Sequence, residues 1–135
     1  MKYLKFSVLT FFTAITFSFV VAKAQMLYIN GVTVPSLSLN YTTNTVLTKT
    51  NSDLPQRVLK QSATDNVSGA DRAVEAATYF NIPMNSPSTY KPLTTNSWVD
   101  FNTKESLTAG DYKLKIRATK STMATVNFWG AWSAN

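Results

Sequence analysis

The chain has 135 residues, with 13 basic and seven acidic side chains, a formal net charge of +6, and neither cysteine nor histidine. Without these two residue types, disulfide bonds, Ser-His-Asp or Cys-His nucleophiles and nearly all zinc sites are excluded. A hydrolase that uses only carboxylates is not excluded by composition.

Residues 1–24 have the three parts of a secretory signal peptide. Two lysines give a positively charged start, residues 6–21 form an uncharged apolar run, and Ala22-Lys23-Ala24 supplies small residues at the cleavage site. A membrane anchor is the alternative, but the run is shorter than the roughly 20 apolar residues of a spanning helix. We therefore expect export and a mature chain that begins at Gln25, with no membrane span after cleavage.

Removal of the signal leaves 111 residues, 25–135, which suffice for one domain with a core. Three of the 13 basic residues leave with the signal, so ten remain against seven acidic ones, and the mature net charge is +3. This excess favours solubility and does not indicate nucleic acid binding. We expect a secreted or cell-surface protein that passes through the periplasm.

The first segment of the mature chain alternates apolar and polar residues. Leu27 and Ile29 share one face of a predicted strand, and Val32 and Val34 share the next face after Asn30-Gly31 breaks the phase. Asn-Gly between apolar residues is a strong signal for a local hairpin. Such an alternating segment is also suited to adding as a strand to an exposed sheet edge.

The middle of the chain is rich in Thr, Asn and Ser. Leu37, Leu39 and Tyr41 continue the alternation, and two short strands are predicted around residues 46–47 and 58–59. Residues 68–80 contain the one stretch of good helix formers, which predicts a short helix of two to three turns.

In that helix Ala70, Val74, Ala77 and Phe80 face inward, although a strand that begins at Val74 is the alternative. The prolines within residues 81–92 predict loop or edge structure.

The last third of the chain has the clearest period. Residues 98–102 alternate, and a turn at 109–111 leads into a strand with strict period two. Its predicted buried residues are Tyr112, Leu114 and Ile116. Its predicted exposed residues form a basic stripe of Lys113, Lys115 and Arg117.

Short strands separated by turns predict an all-β fold. We expect an immunoglobulin-like antiparallel β-sandwich of about seven short strands with one short helix, and a small barrel is the alternative. The basic stripe then has two interpretations, a surface for an anionic partner or an ordinary solvated strand face.

Aromatic residues are numerous for a domain of this size. The set comprises Tyr28, Tyr90, Trp98, Tyr112, Trp129 and Trp132. In the last strand, parity prevents Phe128, Trp129 and Trp132 from sharing one face. At least one of these three rings is therefore expected outside the core, where it can bind a sugar or a protein.

No catalytic, metal or cofactor site is predicted. Asp65, Asn66, Ser68 and Asp71 surround a glycine, but their spacing differs from a calcium loop and indicates a turn followed by an N-cap at Ser68. Asp71 and Glu75 are four residues apart, yet nothing places them in a cleft. We expect a protein that is not an enzyme and needs no cofactor.

The segment Ala109-Gly110-Asp111-Tyr112-Lys113-Leu114 and the aromatic end at 128–135 resemble subunits of chaperone–usher fimbriae, the Dr and aggregative-adherence type in particular. The resemblance covers about the last quarter of the chain. It implies an immunoglobulin-like domain that lacks one strand, which a periplasmic chaperone and then the next subunit supply. In this chain residues 26–34 would be the added strand.

The leading hypothesis is therefore an exported bacterial surface or fimbrial subunit that mediates adhesion or assembly by strand addition. Its expected partners are other subunits, a periplasmic chaperone, and a glycan or host-surface ligand. The second hypothesis is a self-contained secreted binding module, lectin-like or inhibitory. The candidate assembly or binding residues are Leu27, Ile29, Val32, Val34, Phe128, Trp129 and Trp132.

Overall fold

The computed structural model describes residues 25–81, 88–119 and 123–134. The predicted signal peptide, residues 1–24, lies outside them, as do residues 82–87 of the predicted proline-rich segment. The described chain forms nine strands and one short helix: β1 (Met26–Val34), β2 (Tyr41–Thr42), β3 (Leu47–Lys49), β4 (Gln56–Asp65), β5 (Val74–Phe80), β6 (Lys91–Pro92), β7 (Trp98–Phe101), α1 (Lys104–Leu107), β8 (Gly110–Ala118) and β9 (Val126–Ser133).

The strands form two antiparallel sheets that pack face to face. Sheet I has the order β1-β9-β4-β7, and sheet II has the order β2-β8-β5-β6, with β3 also paired to β8. This arrangement confirms the predicted all-β sandwich. The described residues form nine strands, more than the seven predicted. Three of the nine, β2, β3 and β6, are only two or three residues long, which leaves too short a period to count them reliably from the sequence.

The core lies between the central strands of the two sheets. Tyr112, Leu114 and Ile116 of β8 are fully buried, which confirms the face predicted from period two. Phe128 and Trp132 of β9 are also fully buried on the facing sheet. Burial of each large apolar side chain contributes about 1.5–3 kcal/mol relative to exposure, so these two strands anchor the domain.

The helix predicted within residues 68–80 is wrong. Val74–Phe80 is strand β5, the alternative considered for this segment, and it pairs with β8 on one side and β6 on the other. Local helix propensity is worth a few tenths of a kcal/mol per residue, less than the ladder bonds and burial that β5 gains. The short helix, α1, follows β7 and begins at its N-cap, Thr103.

The local hairpin at Asn30-Gly31 is also wrong. β1 continues through these two residues, which form an irregularity in its ladder with β9, and Gly31 takes a φ of +66°. The residue pair therefore provides the extra length and left-handed backbone of a bulge. The partner of β1 is the last strand of the chain, which no local signal can identify.

A chain of hydrogen bonds crosses the core between the two sheets. Trp132 Nε1 donates to Gln56 Oε1 over 3.2 Å, and Gln56 Nε2 donates to the carbonyl of Ser106 over 2.9 Å. The Ser106 hydroxyl lies 2.8 Å from the Thr78 hydroxyl on β5. Because buried polar groups must be paired, this network fixes the alignment of sheet I, α1 and sheet II.

Candidate binding and assembly surfaces

The outer face of sheet I carries a row of four residues across its four strands. The registers place Tyr28 opposite Ala131, Ala131 beside Leu59, and Leu59 beside Trp98. Neighbouring strands lie about 4.8 Å apart, so three spacings separate Tyr28 from Trp98 by roughly 14 Å. Tyr28 is 69% exposed, and Leu59 and Trp98 are half-buried. The row therefore ends in an aromatic ring on each side.

Trp129 lies beside this row and also faces outward. Phe128 and Trp132 point into the core, which confirms the predicted separation of these three rings onto two faces of β9. The Trp129 indole atoms Cε2, Cζ2 and Nε1 each lie 3.3 Å from the position that a Cβ at Gly31 would occupy. The ring therefore rests with its face against the β1 backbone, where a glycine leaves room. We call the following residues the aromatic platform: Tyr28, Leu59, Trp98, Trp129 and Ala131.

One ion pair borders the aromatic platform. Arg57 Nε donates to Asp100 Oδ1 over 2.7 Å, and the two side chains are 44% and 41% exposed. The Arg57 guanidinium carbon also lies 5.6 Å from the centre of the Trp98 ring. An exposed pair of this kind adds only about 0–1 kcal/mol to stability. The Arg57–Asp100 pair therefore offers a ligand hydrogen-bonding groups that together carry no net charge.

The basic stripe lies on the outer face of sheet II, but it is half-buried and not fully exposed as predicted. Side chains of the neighbouring strand β5 explain the difference. Arg117 Nε donates to Glu75 Oε1, and Lys115 Nζ lies 4.7 Å from the centre of the Tyr79 ring. Lys113 is the third member and lies opposite Tyr79. The stripe is thus partly covered and partly neutralised by its own sheet.

Tyr90 covers more of this outer face. Its ring centre lies 3.7 Å from the Arg117 guanidinium carbon, and its hydroxyl donates to Asn40 Oδ1 over 2.6 Å. Desolvation, aided by the charge of Glu75, raises the pKa of Tyr90. Ala77, which shares this face, is fully buried. The outer face of sheet II is therefore occupied by contacts among its own side chains.

The apolar residues predicted for strand addition all face the core of the same chain. Ile29 and Val34 are buried, and Leu27 and Val32 are half-buried and packed against the core cluster. In the described part of the chain, β1 pairs with β9 and lies at the edge of sheet I. β1 therefore completes the sandwich of its own chain while keeping the position of an added strand.

The turn that follows β1 has an unfavourable backbone. Leu37 and Ser38 have φ values of 60° and 59°, and Leu39 N donates to the carbonyl of Ser36 over 3.3 Å. Two central residues with positive φ define a type I′ turn, which favours Asn-Gly. The left-handed region costs a residue other than glycine about 1–2 kcal/mol. Leu37 and Leu39 are exposed turn residues and do not continue the predicted alternation.

Lys60 is buried on the inner face of sheet I, a position that the sequence analysis did not single out. Its Nζ donates to Asp71 Oδ2 and to the carbonyl of Arg72, each over 2.9 Å. The Lys60 side chain is 3% exposed and that of Asp71 is 57% exposed. Partial burial opposes the shift, but hydrogen bonds from Lys60 and from Ala63 N lower the pKa of Asp71. The pair fastens the loop between β4 and β5.

Asp65 organises the same loop and is not arranged as a calcium ligand. Its carboxylate accepts hydrogen bonds from the backbone of Ser68 and Val67 and from the Arg72 guanidinium. These bonds lower the pKa of Asp65 to about 2. Ser68 lies in a turn, as predicted, but caps no helix, because none follows it. No cluster of acidic residues that could hold a metal occurs in the described ranges.

Lys49 is a second buried lysine that the sequence analysis missed. Its Nζ donates to the carbonyls of Asn51, Leu54 and Ala134. Burial lowers the pKa of Lys49, although the charge of Asp53 opposes the shift. The alternation of Leu47 and Lys49 on β3 is the signal that both side chains point inward. Lys49 ties the loop after β3 to the end of β9.

The predicted carboxylate pair Asp71 and Glu75 is not brought together. Asp71 contacts Lys60 on sheet I, and Glu75 contacts Arg117 on sheet II. Each carboxylate is thus neutralised by a separate cation.

Across residues 25–81, 88–119 and 123–134, no helix is long and apolar enough to cross a membrane.

Comparisons with protein-family models, with curated proteins and with solved structures gave no match.

Proposed function

We propose that the chain is an exported bacterial surface or fimbrial subunit that assembles by strand addition, with β1 as the strand that is exchanged. The observation that carries the proposal is the position of β1. It is the first strand of the described residues, it lies at a sheet edge, and it inserts alternating apolar side chains beside the last of these strands, β9. In strand addition, backbone bonds supply affinity and alternate side chains fill pockets.

The strained turn after β1 supports this proposal. Leu37 and Ser38 hold left-handed conformations in the closed chain. If the turn opens and β1 pairs with β9 of a second copy, the same ladder forms and the two residues are free to adopt extended conformations. Hinge strain of this kind favours exchange of an element between copies. The exchange therefore keeps the contacts of β1 and removes a cost of about 1–2 kcal/mol per residue.

The predicted signal peptide and the resemblance of the chain end to fimbrial subunits agree with this assignment. Its partners are further copies or other subunits of the same fibre, with a periplasmic chaperone to hold the groove before assembly. A free sandwich without β1 exposes the inner face of β9, where Phe128 and Trp132 pack. Such an apolar groove needs a temporary partner to avoid aggregation.

A self-contained secreted binding module is the second candidate. One observation favours it: β1 closes the sandwich of its own chain and buries Ile29 and Val34 there. A module of this kind needs neither a chaperone nor a second copy to complete its core. The two candidates therefore differ in which copy supplies β1.

A cysteine pair reports this difference directly. Thr33 on β1 lies opposite Asn127 on β9, and both side chains face outward. Residues opposite each other in antiparallel strands have Cα atoms about 4.5–5.5 Å apart, which suits a disulfide. The chain has no cysteine of its own, so Thr33→Cys with Asn127→Cys forms only the designed bond. The matched control is Thr64→Cys with Asn127→Cys, which joins β4 to β9.

Both double variants are exported, oxidised and run on denaturing gels without reductant. Strand addition predicts a ladder of disulfide-linked species for Thr33→Cys/Asn127→Cys and single chains for the control. Single chains for both variants, at all protein concentrations and after unfolding and refolding, contradict the assembly proposal and favour the self-contained module.

A further inference from the structure

We propose that the aromatic platform on the outer face of sheet I is a binding site for an uncharged glycan. The site forms within one closed copy and does not depend on exchange of β1. Its three rings are Tyr28, Trp98 and Trp129, on strands β1, β7 and β9. Leu59 and Ala131 fill the space between them at the level of the sheet.

The rings are presented in a way that suits stacking. The Trp129 indole rests with one face against Gly31, so its other face points away from Gly31, and the side chain as a whole is half-buried. Tyr28 is 69% exposed at the edge of the sheet. A pyranose ring has C–H groups on its faces, which pack on the electron-rich face of an aromatic ring. Rings spread over roughly 14 Å can contact more than one sugar unit.

The charge of the surface selects among ligands. Arg57 and Asp100 are the charged residues that face outward on the four strands of sheet I, and they form an ion pair with each other. The other outward side chains beside the platform include hydroxyls and an amide, on residues 33, 62, 64, 127 and 133, and the apolar side chain of Met26. Paired charges and neutral polar groups complement the hydroxyls at the rim of a sugar. An anionic polymer gains no net attraction from this surface.

The size of the platform argues against a second protein as its occupant. Three strand spacings across and two rows along the strands cover on the order of 200 Å². A stable interface between two proteins buries about 800 Å² on each partner. The area of the platform is enough to contact a short stretch of glycan.

Sheet II offers a natural contrast. Its outer rings, Tyr79 and Tyr90, are already in contact with Lys115 and Arg117. On the outer face of sheet I, Arg57 lies over the Trp98 ring, and that cation is itself paired with Asp100. Among the cation–ring contacts of the described residues, none involves Tyr28 or Trp129, so a ligand can reach these two rings of the platform without displacing a charged side chain.

The test is affinity electrophoresis of the mature protein, residues 25–135, through gels that contain hydroxyethylcellulose, laminarin, α-mannan or a neutral galactan, with heparin as a charged comparison. We expect retardation by at least one neutral polymer, and a shift in tryptophan emission on titration with its oligosaccharides. Tyr28→Ala and Trp98→Ala are each expected to weaken binding about tenfold or more. Tyr79→Ala on sheet II is the matched control and should bind as the native protein does.

Tyr28 is mostly exposed, so its variant tests binding without loss of the fold, which circular dichroism and a thermal melt verify. Retardation by none of the four neutral polymers overturns the inference. Retardation by heparin alone, or binding that survives in both Tyr28→Ala and Trp98→Ala, also overturns it. So does a dimer that light scattering detects in the native protein and that Tyr28→Ala abolishes, because a second copy would then be the occupant. A disulfide ladder in the cysteine experiment is separate from all of these outcomes.

Discussion

The outer faces of the two sheets both carry aromatic rings, but the rings have different neighbours. On sheet II, Arg117 is held by Glu75 and Tyr90, and Lys115 lies over Tyr79. On sheet I, Tyr28 projects from an edge strand and is mostly exposed. Composition alone therefore does not identify a binding face. The side chains that a face already satisfies decide whether its rings are available to a ligand.

The largest expected effect tests whether the outer face of sheet II is separate from the core. Ile116 and Lys115 are adjacent on β8 and point to opposite sides. Ile116→Ala should lower the free energy of unfolding by about 2–5 kcal/mol, because it leaves a cavity. Lys115→Ala should cost no more than about 1 kcal/mol, the value of its contact with Tyr79. Urea denaturation measures both, and similar values for the two variants contradict the assigned faces.

The next effect concerns the attachment of sheet I's edge strand. Leu37→Asn with Ser38→Gly supplies the residues that a type I′ turn favours. The double variant should raise the free energy of unfolding of the closed chain by about 1–3 kcal/mol, because it relieves two left-handed backbones. Leu39→Asn, exposed in the same turn, is the control and should change stability by about 0.5 kcal/mol or less.

The same double variant sharpens the assembly proposal. Without strain in the closed turn, the exchange of β1 between copies no longer lowers the free energy of the turn. Combined with Thr33→Cys and Asn127→Cys, the turn variant should shift the disulfide products from ladder to single chain. An unchanged ladder means that the turn is not the source of the exchange.

A smaller difference in stability is expected between variants on the outer faces of the two sheets. Arg117→Ala removes an ion pair and a ring contact, and should cost about 1 kcal/mol of stability. Tyr28→Ala removes an exposed ring from the aromatic platform and should change stability by about 0.5 kcal/mol or less. Thermal melts at equal protein concentration test this order. The reverse order would falsify the view that sheet II is the self-satisfied face.

The last effect is expected in acid, at the loop that joins the two sheets. Asp65 has a pKa of about 2 in the folded chain, below the ordinary value of 3.8. A carboxyl with a lowered folded pKa stabilises the fold above the unfolded value, and this stabilisation is lost as the pH falls from about 4 towards 2. Asp71, whose pKa is also lowered, acts in the same direction.

Asp65→Asn should therefore be less stable at neutral pH and should lose less stability on acidification than the native chain does. Melting temperatures between pH 5 and pH 2 check the slope. Equal slopes for the two proteins contradict the role of Asp65.

Several features could be predicted from local pattern because the physics that decides them is local. The strict alternation of β8 predicted which residues are buried, since a strand has a period of two. Parity in β9 separated Trp129 from Phe128 and Trp132 for the same reason. Alternation did not predict how exposed the polar side would be, because Glu75 and Tyr79, which cover it, come from β5.

Other features failed locally because distant partners overrode them. Residues 74–80 contain good helix formers, yet they become β5 because β8 and β6 pair with both of their edges. Asn30-Gly31 has the sequence of a hairpin turn, yet the chain does not reverse there. β1 pairs with β9 on both sides of the two residues, which form a bulge. In both cases the ladder bonds and the burial come from residues far along the chain.

Residue type and short-range period were enough to predict the chemistry that is excluded, the export signal, the all-β class and the inner face of β8. The positions of β1 beside β9, of Lys49 and Lys60 in buried surroundings, and of Tyr28 and Trp98 at the ends of one row across sheet I became known from the three-dimensional fold. Each of these depends on register between distant strands. A shift of one residue in that register would turn every side chain to the opposite face.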